Sequence, residues 1–287
     1  RRLFYVLSTN WWFFMHAMLN IAIRAARNAG KVVTQAYAQL DKVETTTKGA
    51  NDYVTNVDKA AEKSIIDTIH NAFPDHSIIA EESGLNQGKD DEYQWVVDPL
   101  DGTTNFIKGI PHFSISIALR IRGKTEHAVV YDPLRNELFA ASRGKGAQLN
   151  GYRLRVSKAK DLDGTIIGTG FPFKRKHYME SYLGMFSAIF AECGDVRRAG
   201  SAALDLVYVA AGRLDGFFEL NLKPWDIAAG ELIAREAGAI VTDFSGNTEY
   251  YQSGNIVCAN PKVLKAMLAN IRPHLNDALK SSANPIM

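Results

Sequence analysis

With 287 residues, 46% of them hydrophobic, the chain can bury one large core or two smaller ones packed together, which excludes a disordered polypeptide. Lys and Arg total 33 against 31 Asp and Glu, and a net charge of +2 is too weak a field to hold a polyanion such as duplex DNA; a small anionic substrate fits better. Cys193 and Cys258 are too few for a disulfide scaffold and lack metal-ligand spacing, which suits a reducing cytoplasm.

Residues 1–14, RRLFYVLSTNWWFF, differ in composition from the rest of the chain. Ser8, Thr9 and Asn10 break the apolar run, which is too short to span a bilayer, so neither a signal peptide nor a membrane anchor is expected. Met15 reads as a natural start, and residues 1–14 as an upstream N-terminal extension. Leu19, Ile23, Ala26, Gly30, Val33, Tyr37 and Leu40 then recur at alternating steps of four and three, predicting a first helix. Ala61, Ile65, Ile69 and Phe73 predict a second, ending before Pro74, and the polar stretch TTTKGANDYVTNVD between the two reads as a loop. Short runs rich in Val, Ile and Phe come next: HSIIA, QWVV, FSISIALRI, HAVVYD, ELFAAS and QLNGYRLRV. These predict strands, the last folded into a hairpin at Asn150-Gly151, so residues 15–160 form an α+β half. Over residues 161–287 the order becomes an alternating α/β half. It runs strand TIIGTG, helix near YMESYLGMFSAIFAEC, helix GSAALDLVYVAAG, strand GFFEL, helix DIAAGELIAREAG, strands AIVTDF and NIVCAN, and a terminal helix.

Several carboxylates stand where a strand should end and a loop begin: Glu81 and Glu82 after HSIIA, then Asp98 and Asp101 after QWVV. In WVVDPLDGTTNF, Pro99 fixes the chain direction between Asp98 and Asp101, and Gly102 permits a tight turn exposing backbone N–H groups. Oxygen ligands without nearby His or Cys favour a hard ion, Mg2+ over Zn2+. Gly102, Thr103 and Thr104 add hydroxyls and amides suited to phosphate oxygens. Spacing alone leaves a surface turn with solvated acids open. Asp226, after Pro224-Trp225, and Asp58 read, on the residues alone, first as ordinary helix N-caps. No completed dinucleotide fingerprint, P-loop, HExxH pairing or GxSxG elbow is present, which disfavours nucleotide-motif and covalent-serine chemistry.

Together, EES at 81–83, DPLDGTTN at 98–105 and WDIAAGELIAREAG at 225–238 resemble the inositol monophosphatases, and among them the bacterial SuhB-type branch. KGANDYVTNVDKAAE, RRAGSAALDLVYVAAGRLDGFF and GNIVCANP extend the resemblance from about Met15 to the terminal helix. It implies a layered α/β/α/β/α sandwich of the inositol monophosphatase and fructose-1,6-bisphosphatase type. It also implies a cytoplasmic homodimer and Mg2+-dependent, lithium-sensitive hydrolysis of inositol 1-phosphate. Carried over residue by residue, Glu81, Asp98 and the Leu100 carbonyl would hold a first Mg2+, and Asp98, Asp101 and Asp226 a second; a third, weaker ion near Glu81 is allowed. Thr103, hydrogen-bonded to Asp58 and with Glu81 opposite, would orient and deprotonate the attacking water. The Gly102 and Thr103 amides would bind phosphate, while Gly200, Ser201, Ala202, Glu219, Asp226 and nearby Arg197 would face the alcohol. Lys48 and Asp52 match the family's metal-associated loop. Other small phosphate monoesters are the alternative substrates. The branch also implies a role of a different class: accessory factor in ribosomal RNA antitermination, meeting RNA polymerase or antitermination factors through protein contacts, without direct nucleic-acid affinity.

Overall fold

The computed structural model describes residues 2–49, 52–173, 175–276 and 279, and the side chains of residues 2–16, 48 and 52 lie outside that description. Helix α1, Arg2–Tyr37, turns Met18, Leu19, Ala22, Ala25, Ala26, Ala29 and Val33 inward. Its alanines let it lie close to α2, Asn56–Ala72, which buries Val57, Ala61, Ile65 and Ile69. The start of α2 is fixed by Thr55 and Asp58, which form a reciprocal capping box. Where a loop was predicted between these helices, β1, Thr45–Gly49, and β2, Asp52–Thr55, pair as an antiparallel hairpin. The β-branched Thr45, Thr46 and Thr47 suit a strand, but all are exposed, so no alternation marks the strand in the sequence.

An eight-stranded sheet comes next, built from β3 His76–Ala80, β4 Gly84–Asn86, β5 Asp90–Asp101, β6 Ser114–Ile121, β7 Lys124–Asp132, β8 Glu137–Ser142, β9 Gly146–Leu149 and β10 Tyr152–Arg153. The one-turn helix α3, Thr103–Ile107, interrupts it after β5. Strand order is β10-β9-β8-β7-β6-β5-β3-β4, with β3 and β5 parallel and the other pairs antiparallel. The predicted turn closes β9 and β10, with Asn150 at φ 48 and Gly151 at φ 88. Alternation sorts the side chains: Trp95, Val97, Ile117, Leu119 and Val129 join the core under α1 and α2, whereas Val96, Ala118, Ala128 and Val130 face the other way.

A second sheet contains β11 Ile166–Thr169, β12 Asp195–Arg197, β13 Gly216–Glu219, β14 Ile240–Thr242 and β15 Ile256–Ala259, in the order β12-β11-β13-β15-β14. Strand β11 runs parallel to both neighbours, and the remaining pairs are antiparallel. Helices α4, Met179–Phe190, and α8, Pro261–Ile271, cover one face with Tyr182, Met185, Val263 and Met267 on Phe218 and Val257. Helices α5, Ala202–Ala210, and α6, Pro224–Ala237, fill the space between the sheets, touching Val96 and Ala118 on one side and Phe217 and Cys258 on the other. The layers therefore run helices, sheet, helices, sheet, helices, as the family resemblance implied. Helix α7, Tyr250–Ser253, and strands β4 and β12 are short additions to the predicted elements. Among the described residues no helix is long and apolar enough to cross a membrane.

Candidate active site

Residues three apart on a regular strand point to opposite faces. Asp98 and Asp101 nevertheless converge, because the β5–β6 register slips between Asp98↔Ser116 and Asp101↔Ser114. Pro99 lies in that slip, where it has no N–H to give the ladder. Gly102 then turns the chain into α3 at φ +99, with its would-be Cβ 3.1 Å from the His112 carbonyl and 3.2 Å from Phe113 Cβ. A side chain there would meet both strain and a collision. From the other half of the chain, Pro224 starts α6 and makes Asp226 its third residue; the Lys223 amide donates to Asp226 Oδ2 at 2.7 Å. Asp226 is thus not the N-cap itself but the reciprocal partner in the capping box. Carboxylate oxygens of Asp98, Asp101 and Asp226 lie within 4.8 Å of one another.

Glu81 comes directly after β3, its amide donating to the Val97 carbonyl at 3.2 Å. The segment after it is held by Glu62, which sequence reasoning passed over. Buried at 3% exposure, Glu62 accepts from the Glu82 amide at 2.8 Å and the Ser83 amide at 2.9 Å. The available signal was its position four residues after Asp58, on the same face of α2. Glu62→Gln replaces one acceptor oxygen by a donor that opposes an N–H. The Mg2+ concentration for half-maximal turnover should rise about tenfold, as is typical on loss of a group that orients a ligand; an unchanged Mg2+ titration would remove Glu62 from this role.

Burial is the first cause of raised carboxyl pKa values throughout the cluster. Asp98 is pushed well up by desolvation and then by the negative charges of Glu81, Asp101 and Asp226. Asp226 is pushed up by desolvation and then by Asp101 and Glu81. Asp101 rises to about 6, burial being opposed by hydrogen bonds from Ser201 Oγ at 2.5 Å and the Ala203 amide at 2.8 Å. So many crowded carboxylates cannot all ionise without a counter-cation. The donor set, carboxylate oxygens beside the Leu100 carbonyl, is one a hard divalent ion fits.

Beside this cluster, Thr103 Oγ1 lies 3.0 Å from Asp58 Oδ1 and 3.1 Å from the Leu100 carbonyl. Asp58 is fully buried, and its other oxygen accepts from the Thr55 amide at 2.9 Å and from the Thr55 hydroxyl. Desolvation raises its pKa, against the lowering effect of those hydrogen bonds. Glu81, Asp98, Leu100, Asp101, Thr103 and Asp226 open onto a cavity of about 440 Å3 that also meets Gly200, Ser201, Ala202 and Glu219, while Asp58 lies buried behind Thr103 and does not line it. Burial pushes Glu219 up to about 8, with Arg198 pulling the other way.

One expected residue is placed elsewhere. Arg197 is half-exposed, ion-paired with Asp195 and bonded to the Val196 carbonyl at 3.1 Å, and it does not line the cavity. Adjacent residues of extended chain point to opposite sides, so the next residue, Arg198, reaches the cavity instead. Asp205 was also passed over: buried and pushed well up by desolvation, it lies near enough to Glu219 and Asp101 to feel both charges. The side chains of Lys48 and Asp52 lie outside the described residues.

The family model "Inositol monophosphatase family" matches residues 15–276. This chain belongs to the inositol monophosphatase family. A relative from Escherichia coli (strain K12), Nus factor SuhB, is 65% identical over 266 residues, covering 93% of this chain and 100% of the relative. The crystal structure of extragenic suppressor protein suhB from Bartonella henselae superposes with a TM-score of 0.88 at 41% identity, covering 90% of this chain and 100% of that one. The inositol monophosphatase from Anabaena (Nostoc) sp. PCC 7120 gives 0.80 at 36% identity, over 90% and 96% of the two chains. The family match takes in Glu81, Asp98, Asp101 and Asp226 and leaves residues 1–14 outside it.

Proposed function

We propose that this protein is a Mg2+-dependent phosphatase that hydrolyses inositol 1-phosphate to inositol and phosphate, working as a cytoplasmic homodimer. The observation that carries the reading is the meeting of Asp98, Asp101 and Asp226 within 4.8 Å, beside the Thr103–Asp58 hydrogen bond. Glu81, Asp98 and the Leu100 carbonyl would hold one Mg2+, Asp98, Asp101 and Asp226 a second, and Glu81 the edge of a weaker third. When bound, the ions supply the positive charge that phosphoryl transfer needs at the phosphate and at the leaving oxygen.

The chain's own groups do the rest. Amides of Gly102 and Thr103 open the first turn of α3, where N–H groups have no intrahelical partner, and they receive phosphate oxygens. A Thr103 hydroxyl that donates to Asp58 presents only lone pairs to a water, which must then point a proton at it. Glu81 faces the same water from the other side and takes up its proton as the oxygen attacks phosphorus. The bond from phosphorus to the alcohol oxygen breaks in that displacement, the departing oxygen takes a proton from solvent water to become the alcohol, and no phosphoenzyme forms. With its pKa near 8, Glu219 holds a proton at neutral pH and can donate to a polyol hydroxyl as well as accept from one. Ser201 and the α5 N-terminus, both bound to Asp101, place the alcohol side of the pocket against the acidic cluster.

Phosphate release tests this. Inositol 1-phosphate should be hydrolysed with Mg2+ and not with EDTA, and faster than fructose 1,6-bisphosphate or adenosine 3',5'-bisphosphate. A preference for either bisphosphate would reassign the substrate, and undiminished turnover in EDTA would sink the metal reading.

A second reading rests on the 65% identity to a Nus factor. We propose a further role as an accessory factor in ribosomal RNA antitermination, carried by protein contacts because the net charge is only +2. Immobilised protein should retain transcription factors even as the Asp101→Asn variant; failure of both forms to retain any would end this reading.

A further inference from the structure

A second cavity, of about 450 Å3, lies on the outer face of α1 and shares no lining residue with the catalytic pocket. Arg24, Arg27 and Lys31 line it, along with Asn20, Asn28 and Thr34, and among the described residues no acidic one does. The polar face of a surface helix ordinarily mixes charges of both signs. From Met15 to Tyr37, α1 contains no Asp or Glu at all, so its positive charges have no partners along the helix. Among the described residues none of Arg24, Arg27 and Lys31 forms a salt bridge. Asp132, between the lining residues Tyr131 and Pro133, is buried and already accepts from the Leu134 and Arg135 amides and from Arg135 Nη1.

The wall is built rather than incidental. Tyr131 packs so tightly on α1 that a Cβ at Gly30 would lie 2.6 Å from its ring, and its hydroxyl is held by Asn136 at 3.0 Å. Arg27 sits over that ring at 5.5 Å, a cation–π contact that fixes one guanidinium beside the groove. Asn28 is tied to Thr68 of α2 at 3.3 Å.

We infer that this groove is a binding site for a small oligophosphate, gripped by Arg24, Arg27 and Lys31. Arg24 and Lys31 are seven residues apart, roughly 10 Å along a helix. A single phosphate would meet both ends of that row only with both long side chains folded toward its middle, whereas a short chain of phosphates meets them extended. Guanidinium forks match phosphate oxygens in pairs, and the ammonium adds a point charge at the end of the row. The size also suits a small molecule. The weak overall charge provides no field to draw in a long polyanion, so the recognition is local.

Calorimetric titration with tripolyphosphate, in EDTA and at low ionic strength, tests the site. EDTA leaves the catalytic cluster as bare carboxylates that repel the probe. One tripolyphosphate should bind per chain, more weakly as salt is added. Arg24→Gln combined with Lys31→Gln should weaken it at least tenfold and leave inositol 1-phosphate turnover unchanged, which also reports an intact fold. Lys63→Gln on neighbouring α2, where Lys63 is paired with Asp67, should change nothing. No binding to the wild-type chain, binding indifferent to the double substitution, or an equal loss in Lys63→Gln would each overturn the inference. Because the titration is made without Mg2+, it stands or falls separately from the phosphatase activity.

Discussion

Asp98→Asn should lower kcat at least ~10³-fold while the protein stays folded, because positioned charge supplies most of the catalysis in phosphoryl transfer. Asp98 is the carboxylate both proposed ion sites share. The amide keeps the shape and can still accept from the Leu100 N–H, which bonds Asp98 Oδ1 at 2.9 Å. It cannot supply the negative charge. In metal-free buffer the same variant should unfold at a higher temperature than wild type, since one of the crowded charges is gone. Near-normal Mg2+-dependent turnover would rule out Asp98 as the shared ligand.

The sign of the accompanying pH effect is set by linkage. Asp98, Asp101 and Asp226 all have raised carboxyl pKa values in the fold, Asp101 reaching about 6, against ~3.9 for an unfolded Asp. Below ~3.9 both states are protonated and the cluster carries no penalty. As pH rises from there through the folded values, the unfolded chain releases protons that the folded one retains, so metal-free stability falls. Above the folded values the loss is complete. Thermal unfolding in EDTA should therefore decline across this range, and saturating Mg2+ should remove the decline. A flat profile in EDTA would contradict the crowding of these carboxylates.

How much of this was legible before folding depended on where each signal resides. Helices α1 and α2 and the central strands declared themselves because one face or both are apolar, and burial imposes that period directly. The β1–β2 hairpin did not, since its threonines face solvent and leave no alternation. Asp98 and Asp101 stood out in one short motif, but their convergence needed the register slip at Pro99, a property of the pairing with β6. Glu62 went unnoticed, because the amides it holds come from 20 and 21 residues further on. Arg197 and Arg198 differ by a single step along an extended chain. The motif located the pair, yet only the direction of β12 decides which guanidinium enters the cavity.

Thr103→Val should separate orientation from binding. Valine keeps the volume and the backbone amide but removes the hydroxyl that lies 3.0 Å from Asp58. The Gly102 and Thr103 amides proposed to hold phosphate are untouched, so KM should change little. Without the hydroxyl, nothing on that side constrains the water's proton, and kcat should fall by ~10²–10⁴, the range for a positioned proton-transfer group. Asp58 would keep both bonds from Thr55 on Oδ2 but lose the Thr103 bond to its buried Oδ1, a stability loss of about 1–3 kcal/mol. Thr103→Ser restores the hydroxyl on the same backbone and should recover most of the rate. A merely structural threonine would give the opposite pattern: Val, which fills the same space, would be tolerated better than Ser. Equal activity in the Val variant and wild type would leave the Asp58–Thr103 bond a tether between α2 and α3 with no part in the reaction.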